Sequence, residues 1–241
     1  MNPLNENVRI VLVGTTHPGN IGATARAMKT MSQNNLYLVN PKIYPSAEAT
    51  ARATGADDVL INAKVCANLK SAVSDCDLIV GTSARVRSIP WPLVTPRECA
   101  NNIATNRYSS IAIIFGRENS GLSNEELELC NLVIKIPTNL EYSSLNLAAA
   151  VQIICYELLL INESQNLKDE SKELLNVNQE KMELFYKHIE ECMIETGFYD
   201  LNNPGRLMHR LRRLFNRAHL DEIELNILRG FLSSVQSKYK K

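Results

Sequence analysis

The chain has 241 residues, of which 45% are hydrophobic and 22% are charged. These fractions are ordinary for a folded globular protein and exclude a fibrous or disordered chain, and the length predicts one domain plus a smaller second one. Lysine and arginine number 26 and so do aspartate and glutamate, which gives a formal net charge of zero. Binding to a polyanion would therefore depend on a local basic cluster rather than on the overall charge.

Cysteine spacing and hydropathy indicate the compartment. The six cysteines form no C-x-x-C pair and have no close histidine, so we expect reduced, buried thiols and no metal site. Residues 1–7 are polar and lack the basic and apolar regions of a signal peptide. The most apolar stretch, Leu145–Ile161, is too short and too polar for a membrane span. We therefore expect a cytoplasmic protein without membrane contact.

Short β-branched runs alternate with helical segments in the first two thirds of the chain. The predicted strands are Val8–Val13, Leu36–Val39, Leu78–Gly81, Ile111–Phe115 and Leu132–Ile136. Helices are predicted over Ala23–Met31, Ala63–Asp75 and Glu125–Cys130, the last opened by a capping box of Ser123 and Glu126. Apolar strands separated by helices are typical of a parallel sheet covered on both faces. The sequence thus predicts an α/β domain.

A long helix from about Ser144 to Asn162 ends this domain. It is apolar around most of its circumference, whereas a surface helix shows one apolar stripe. The helix therefore needs burial on several sides. It is either a central core helix or a homodimer interface, and the pattern favours neither.

The domain boundaries follow from a change in composition. Residues 1–162 form the predicted sheet domain, the polar segment 163–179 fits a linker, and residues 180–241 form a small helical domain. Its predicted helices are Met182–Thr196, Pro204–Ala218 and Asp221–Gln236, with Pro204 at a helix start and Asp221 placed as a cap.

A glycine-rich loop, 14–19, separates the first predicted strand from its helix. Backbone N–H groups of such a loop can approach an anion, but the patterns of nucleoside triphosphatases and dinucleotide folds are absent. Asn20 at the helix start and Arg26 two turns later would address a ligand over the loop. The alternative is an ordinary turn with a solvated arginine.

Small residues also follow the predicted strand that ends at Gly81. In parallel sheets, ligands bind beyond the carboxyl ends of strands, so Thr82, Ser83 and Ala84 are candidate contacts. Arg85, Arg87 and Trp91 then offer charge and a stacking surface for single-stranded nucleic acid. A proline-rich surface loop has the same composition.

A charged pair, Arg117 and Glu118, lies in a glycine-flanked loop directly after another apolar strand. Loops placed by a rigid sheet commonly carry function, and we interpret this loop as functional.

The fourth segment opens the long helix. It contains Ser143, Ser144, Leu145 and Asn146, and free N–H groups at this helix start would bind a ligand carboxylate. Alternatively, one of the two serines merely caps the helix.

Together these segments resemble a known family. The N-x-G-x-x-x-R pattern of residues 20–26, the F-G-x-E pattern of residues 115–118 and the S-S-L-N-L-A pattern of residues 143–148 resemble the three motifs of SPOUT RNA 2′-O-methyltransferases. With residues 81–85 and the helical stretch Leu211–Phe215, the chain resembles in particular the bacterial tRNA (cytidine/uridine-2′-O-)methyltransferases of anticodon-loop position 32.

The resemblance implies a fold, a cofactor and partners. The sheet domain would end in a trefoil knot, a rare exception to ordinary chain topology, and would hold S-adenosylmethionine in a bent form. The expected partners are tRNA and a second copy of the chain, with no DNA. Two alternatives stay open: a ribosomal RNA 2′-O-methyltransferase, and a non-catalytic RNA-binding module of the same fold.

The resemblance also assigns residues. The cofactor would be held, largely through backbone groups, by Thr82, Ser83, Ala84, Gly116, Ile136, Ser143, Ser144 and Leu145. The catalytic set would be Arg26, Asn20, Glu118, Ser144 and Asn146. Because the pKa of arginine exceeds about 12, Arg26 would stabilise the developing oxyanion. His17 is an alternative base, although a turn histidine before a proline is more often structural.

An arginine stripe is predicted in the small helical domain of residues 180–241, called the helical extension below. Arg206, Arg210, Arg213 and Arg217 are spaced by four, three and four residues, with Leu207, Leu211 and Leu214 assigned to the opposite side. Such a stripe suits a phosphate backbone. Alternatively, these arginines pair with acidic residues of the preceding helix, namely Glu183, Glu190, Glu191 and Glu195.

Overall fold

The computed structural model describes residues 7–84, 91–106, 108–165, 177–202 and 204–239. Two of the residues predicted to contact RNA, Arg85 and Arg87, lie outside the described residues, as does most of the predicted linker.

Seven strands form one sheet, the five that the sequence predicts and two short ones that it does not. They are β1 (Val8–Val13), β2 (Asn35–Val39), β3 (Lys64–Cys66), β4 (Leu78–Thr82), β5 (Leu93–Val94), β6 (Ile111–Phe115) and β7 (Leu132–Ile134). The strand order is β3-β2-β1-β6-β4-β7-β5, and each pairing is parallel. The predicted parallel α/β architecture is confirmed.

Ten helices lie in the described part of the chain. They are α1 (Pro18–Thr30), α2 (Ala47–Ala53), α3 (Asp57–Ile61), α4 (Leu69–Val73), α5 (Pro96–Asn106), α6 (Asn124–Leu127), α7 (Leu147–Gln165), α8 (Gln179–Glu195), α9 (Leu207–Ala218) and α10 (Glu222–Tyr239). The predicted capping box of Ser123 and Glu126 is present at α6.

The predicted helix over Ala63–Asp75 is wrong in its first part. Residues Lys64–Cys66 form the edge strand β3, and the helix begins only at Leu69. The Asn68 side chain accepts a hydrogen bond from the Ser71 N–H at 2.9 Å. This cap fixes the helix start.

Helices cover both faces of the sheet. Ile10 and Leu12 of β1 point to one face and pack in a core with α1, α2, α3, α5 and α7. Val11 and Val13 point to the other face and pack with α4 and α6. Burial on both faces explains why the central strands are almost entirely apolar. The exception in β1 is Arg9, whose guanidinium pairs with Asp75.

Helix α7 serves the core on one side and faces solvent on the other. Val151, Ile154, Cys155 and Leu158 are buried, whereas the Tyr156 side chain is 46% exposed.

In the described part of the chain, no helix combines the length and apolar character needed to cross a membrane.

The six cysteines are free thiols, as predicted, and all but the half-buried Cys66 are buried. Burial raises the pKa of Cys76 to about 11 and those of Cys99 and Cys155 to about 12, so these thiols are protonated and unreactive at neutral pH.

Helices α8, α9 and α10 share a third core cluster, which includes Phe185, Tyr186 and Leu225. The helix predicted to start at Pro204 begins at Leu207, with Arg206 as its N-cap residue. The Asp221 cap of α10 is confirmed, because its carboxylate accepts a hydrogen bond from the Glu224 N–H at 2.7 Å.

The apolar face predicted for α9 needs correction. The residues that pack in the third cluster are Met208, Leu211 and Phe215, whereas Leu214 is 46% exposed. Leu214 lies about 100° around the helix from Phe215, which turns it away from the packed face.

A buried polar junction joins these helices to the sheet. Asn216, only 2% exposed, donates hydrogen bonds through Nδ2 to the carbonyls of Glu128 at 3.1 Å and Cys130 at 3.2 Å. Its Oδ1 accepts from the Tyr186 hydroxyl, and its own carbonyl accepts from Asn131 Nδ2 at 3.4 Å. The helical extension is therefore docked on the sheet through directional contacts.

Candidate active site

One cavity of about 640 Å³ lies at the carboxyl edge of the sheet. It is lined by segments that follow β1, β4, β6 and β7. Carboxyl ends of parallel strands share one edge, which is where ligands bind in such sheets. The four segments singled out in the sequence therefore converge on one cavity.

The predicted cofactor contacts all line this cavity. They are Thr82, Ser83, Ala84, Gly116, Ile136, Ser143, Ser144 and Leu145. Of the predicted catalytic set, Asn20, Glu118, Ser144 and Asn146 line it as well, but Arg26 does not.

Glu118 ties the loop after β6 to the loop after β1. Its carboxylate accepts hydrogen bonds from the Thr16 N–H and hydroxyl at 3.1 and 3.0 Å, from the His17 N–H at 3.4 Å and from Asn20 Nδ2 at 3.0 Å. Partial burial raises the pKa of this carboxyl, but the hydrogen bonds from Asn20 and from backbone N–H groups outweigh it and lower the pKa overall. Glu118 is therefore an ionised anchor.

Asn146 extends this network to the long helix. Its Nδ2 donates to Asn20 Oδ1 at 3.1 Å, and its Oδ1 accepts from the Ala148 N–H at 3.0 Å. The side chain that caps α7 is thus Asn146 and neither Ser143 nor Ser144. Among the residues that the structure describes, neither serine hydroxyl has a hydrogen-bond partner, so both are available to a ligand in the cavity.

The loop after β6 is held by a contact that the sequence reasoning missed. Arg117 makes two hydrogen bonds of 3.0 Å to the carboxylate of Glu126, and this carboxylate also accepts from the Ser123 N–H at 2.7 Å. The signal was present, because the capping box places Glu126 nine residues after Arg117. This pairing occupies the guanidinium of Arg117, whereas the carboxylate of Glu118 is bound by Asn20.

Glycine is required at position 116 because the backbone of residues 121 and 122 lies very close to it. A Cβ there would lie 2.1 Å from the carbonyl carbon of Gly121 and 2.2 Å from the nitrogen of Leu122. The loop therefore closes on itself only with glycine at this position.

Helix packing explains the glycine of the first motif. A Cβ on Gly22 would lie 2.0 Å from the carbonyl oxygen of Ala49 in α2. Gly22 is therefore a packing residue, and it has no part in the cavity lining.

Hydrogen bonds between strands fix the far wall. The Thr82 hydroxyl donates to the carbonyl of Ile114 at 2.9 Å, and the Ser83 N–H donates to the carbonyl of Ile134 at 3.1 Å. Apolar side chains complete this wall, contributed by Ile134, Ile136, Leu145, Leu147 and Ala150. The cavity thus joins an apolar wall to polar groups on the Glu118 side.

Arg26 is exposed on α1. It lies six residues after Asn20, which places it about 9 Å further along the helix axis and about 120° away around it. Within the described residues its side chain has no ion pair or hydrogen-bond partner. The guanidinium is therefore free but does not face the cavity of its own chain.

The backbone of His17 holds the start of α1, whereas its side chain lines the cavity. Its carbonyl accepts a hydrogen bond from the Asn20 N–H at 3.0 Å, and it is the N-cap residue of α1. The exposed imidazole lines the cavity and makes no side-chain cap.

Trp91 packs against the sheet domain. Its indole N–H donates to the carbonyl of Leu127 at 2.9 Å, and the ring lies against the second core cluster. This side chain is therefore only partly available for stacking with a base.

The arginine stripe lies on the outer side of α9, opposite Met208, Leu211 and Phe215. Within the part of the chain that the structure describes, none of its members forms an ion pair; they are Arg206, Arg210, Arg213 and Arg217. Glu183 pairs instead with Arg212, at 2.6 and 3.0 Å.

Comparison with known proteins agrees with this geometry. The model of the SpoU rRNA methylase family matches residues 7–156, and the model of the C-terminal domain of the tRNA methyltransferase TrmJ matches residues 180–241. The chain is 49% identical over 239 residues to tRNA (cytidine/uridine-2′-O-)-methyltransferase TrmJ of Photorhabdus laumondii, covering 98% of this chain and 99% of that protein.

Solved structures show the same likeness. TrmJ from Z. mobilis ZM4 superposes with a TM-score of 0.81 at 32% identity, covering 95% of this chain and 98% of that one. The SpoU methyltransferase AviRb from Streptomyces viridochromogenes, solved in complex with AdoMet, shares the fold with a TM-score of 0.52 at 22% identity, over 65% of this chain and 60% of that one. The chain belongs to the SpoU methylase family and carries the C-terminal domain of the TrmJ tRNA methyltransferases.

Proposed function

We propose that this protein transfers a methyl group from S-adenosylmethionine to the ribose 2′-hydroxyl of tRNA, at cytidine or uridine 32 of the anticodon loop. The observation that carries the chemistry is that Glu118, Asn20 and Asn146 line the same cavity and are linked there by hydrogen bonds. The tRNA substrate is supported by the full-length similarity to TrmJ proteins. Position 32 rests on the motif resemblance.

The cavity fits the cofactor. Its volume of about 640 Å³ lies in the range of small-molecule sites. The apolar wall suits an adenine ring, and the hydroxyls of Ser143 and Ser144 suit polar groups. Bound S-adenosylmethionine supplies an electrophilic methyl group, whereas the protein supplies position and electrostatics.

The residues of the chain have separate tasks in this proposal. Ser144 lines the cavity and binds the ligand there. Asn20 and Asn146 are positioning residues, which Glu118 and the start of α7 hold in place. Correct placement of the ribose oxygen against the methyl group provides much of the rate enhancement. Arg26 would stabilise negative charge on the 2′-oxygen as its proton passes to solvent or to the His17 imidazole, while the methyl group leaves the sulfonium and S-adenosylhomocysteine is released.

We propose that Arg26 reaches the cavity of a second copy of the chain. It is exposed on α1, which packs beside α7, and it is directed away from its own cavity. The outer side of α7, with Tyr156 exposed, offers an adjoining apolar surface for a homodimer. An isologous interface there would place each arginine on the partner.

The proposed trefoil knot is supported by the strand order. Strand β7 lies between β4 and β5, although β4 and β5 are consecutive along the chain. The Val133 N–H donates to the carbonyl of Pro92, and the Lys135 N–H donates to that of Val94, both at 2.9 Å. A chain that enters between two consecutive strands and continues into α7 is what a knot requires.

The arginine stripe is the proposed RNA contact. Four arginines without ion pairs in the described residues, on the outer face of a helix docked to the sheet, suit a phosphate backbone. Residues 1–162, 163–179 and 180–241 are the proposed catalytic domain, linker and tRNA-binding domain. We further propose that the protein works in the cytoplasm, without DNA or membrane contact.

The test combines binding with product analysis. Calorimetry with S-adenosylmethionine should show binding, and methylation of a tRNA transcript should be lost when nucleotide 32 carries a 2′-deoxyribose. Absence of cofactor binding would favour a non-catalytic RNA-binding module. Mass spectrometry of RNA from cells lacking the protein would reveal whether tRNA or ribosomal RNA loses the methyl group.

A further inference from the structure

An exposed aromatic ring lies at the edge of the cavity. Tyr142 belongs to the segment between β7 and α7, and it lines the cavity although it is 81% exposed. Among the described residues, no other ring and no cation is stacked on it. An aromatic side chain that is kept in solvent beside a ligand cavity is placed to contact what enters that cavity.

The backbone holds Tyr142 in position before a ligand binds. The Asn139 side chain accepts a hydrogen bond from the Glu141 N–H at 2.8 Å, and the Asn139 carbonyl accepts one from the Tyr142 N–H at 3.3 Å. Asparagine commonly closes a turn in this way. A ring presented by an ordered turn loses less conformational entropy on contact than a ring on a mobile loop.

The ring is close in the chain to the polar network of the cavity. Ser143 and Ser144 follow it directly, and Asn146, four residues after it, donates to Asn20. Four residues span at most about 14 Å. Under the proposed function the cofactor fills the interior and the ribose lies at this network, so the base of that nucleotide lies at the cavity edge, beside the ring.

Two other ligand groups fit the ring less well. The adenine of the cofactor has an apolar wall of its own, which includes the buried Ile134 and Leu147. A phosphate is disfavoured, because the exposed Glu141 precedes the ring in the chain and adds negative charge. A neutral nucleobase with a flat π-face suits both the ring and this charge.

We infer that Tyr142 stacks on the base of the nucleotide whose ribose enters the cavity, and thereby positions the 2′-hydroxyl against the cofactor. The inference rests on the proposed function and adds a substrate contact to it. Stacking uses the face of a base and not its hydrogen-bonding edge, so Tyr142 contributes equally to cytidine and uridine.

Kinetics of the full-length protein with tRNA and S-adenosylmethionine test the contact. Tyr142→Leu keeps apolar bulk but loses the flat ring, so it should lower kcat/KM for tRNA at least about fivefold, mainly through KM, with cofactor affinity unchanged in calorimetry. Tyr142→Phe should restore most of the loss. Leu140→Ala should have no effect and is the matched control, since Leu140 is 95% exposed on the same loop and does not line the cavity.

Three outcomes of these measurements would overturn the inference. The first is an equal kcat/KM for Tyr142→Leu and wild type. The second is a weaker cofactor affinity of Tyr142→Leu, which would assign the ring to the cofactor. The third is a change in its molar mass by light scattering, which would assign the ring to a contact between copies of the chain.

A tRNA that lacks one base separates stacking from any other role of the ring. When nucleotide 32 keeps its ribose but lacks its base, wild type and Tyr142→Leu should methylate it at similar rates, because both deletions remove the same contact. A tRNA without base 33 should still show the full difference. A difference that persists without base 32 would contradict stacking on the target base. If wild type fails to methylate the intact tRNA, the proposed function fails as well, whereas a normal wild type with no effect of the ring overturns this inference alone.

Discussion

The carboxylate of Glu118 accepts a hydrogen bond of 3.0 Å from the side chain of Asn20, 98 residues earlier in the chain. This contact joins the loop after β6 to the start of α1, and Asn146 continues it to α7. Removing the charge should therefore affect the geometry of the whole cavity edge.

Glu118→Gln should lower both activity and stability, since an amide accepts fewer of the four hydrogen bonds and its NH₂ group opposes the donors. We expect a loss of about 1 kcal/mol in the free energy of unfolding, below the roughly 1.5–3 kcal/mol of a buried charged hydrogen bond because the group is only partly buried. Denaturant titration and single-turnover methylation measure the two effects.

The same variant has a pH signature. Because the folded state lowers the pKa of Glu118, its contribution to stability is present above the unfolded pKa and is lost as the pH falls through the folded pKa. The difference between Glu118→Gln and wild type should shrink below the ordinary glutamate pKa of about 4.3. A difference that stays constant from pH 7 to acid would argue against an ionised anchor.

Arg26→Ala should retain cofactor binding and lose most methylation, because the residue lies outside the cavity of its own chain. Mixing it with Ala84→Trp, which fills the cavity rim, tests action between copies. If Arg26 acts in the cavity of the partner, half of the dimers in an equal mixture contain both variants, and each of these has one working site. The mixture of two inactive variants should therefore recover about a quarter of wild-type activity. No recovery after subunit exchange would show that Arg26 does not act in the partner.

Arg210→Ala with Arg213→Ala should weaken tRNA binding without changing cofactor affinity. Loss of two phosphate contacts should reduce the slope of log affinity against log salt by roughly two. Lys70→Ala with Lys187→Ala removes the same charge from other surfaces and serves as the control. If both double variants lost the same tRNA affinity, the loss would come from net charge and not from the stripe.

His17→Asn should leave the pH–rate profile nearly unchanged if the residue is only the N-cap of α1. Disappearance of an ionisation near neutral pH, with cofactor affinity intact, would instead identify His17 as the proton acceptor. Rates measured across pH 5.5–9 distinguish the two roles.

Asn216→Ala should destabilise the protein more than an average surface substitution. It leaves the carbonyls of Glu128 and Cys130 buried without their donor, which costs about 1–3 kcal/mol for each group left unpaired. Asn202→Ala, in an exposed turn, is a control. Chemical unfolding should show the contrast, and equal stabilities would mean that water replaces the amide.

Much of the fold follows from local sequence. Strands β1 and β6 match their predicted bounds because apolar, β-branched runs buried on both faces leave few alternatives. Strands β3 and β5 were missed because two or three residues at a sheet edge carry no pattern; Val65 is 59% exposed. Their pairing depends on neighbours distant in sequence.

The sequence singled out residues that line one cavity, but it did not predict the contacts among them. Motif spacing identified Asn20, Glu118 and Asn146, yet the hydrogen bonds among them depend on how three strand ends meet. The position of Arg26 outside the cavity was likewise not evident from its place in the motif. Local pattern identifies candidates, and tertiary packing decides which of them meet.

The docking of Asn216 has a consequence for protein engineering. The two carbonyls that it satisfies belong to the sheet domain, 88 and 86 residues away in sequence. A chimera that grafts a foreign RNA-binding module after residue 165 would leave these carbonyls without donors unless the graft presents an amide at the same spot. An exchange of helical domains between such enzymes therefore has to preserve both the amide donor and the carbonyls that it binds.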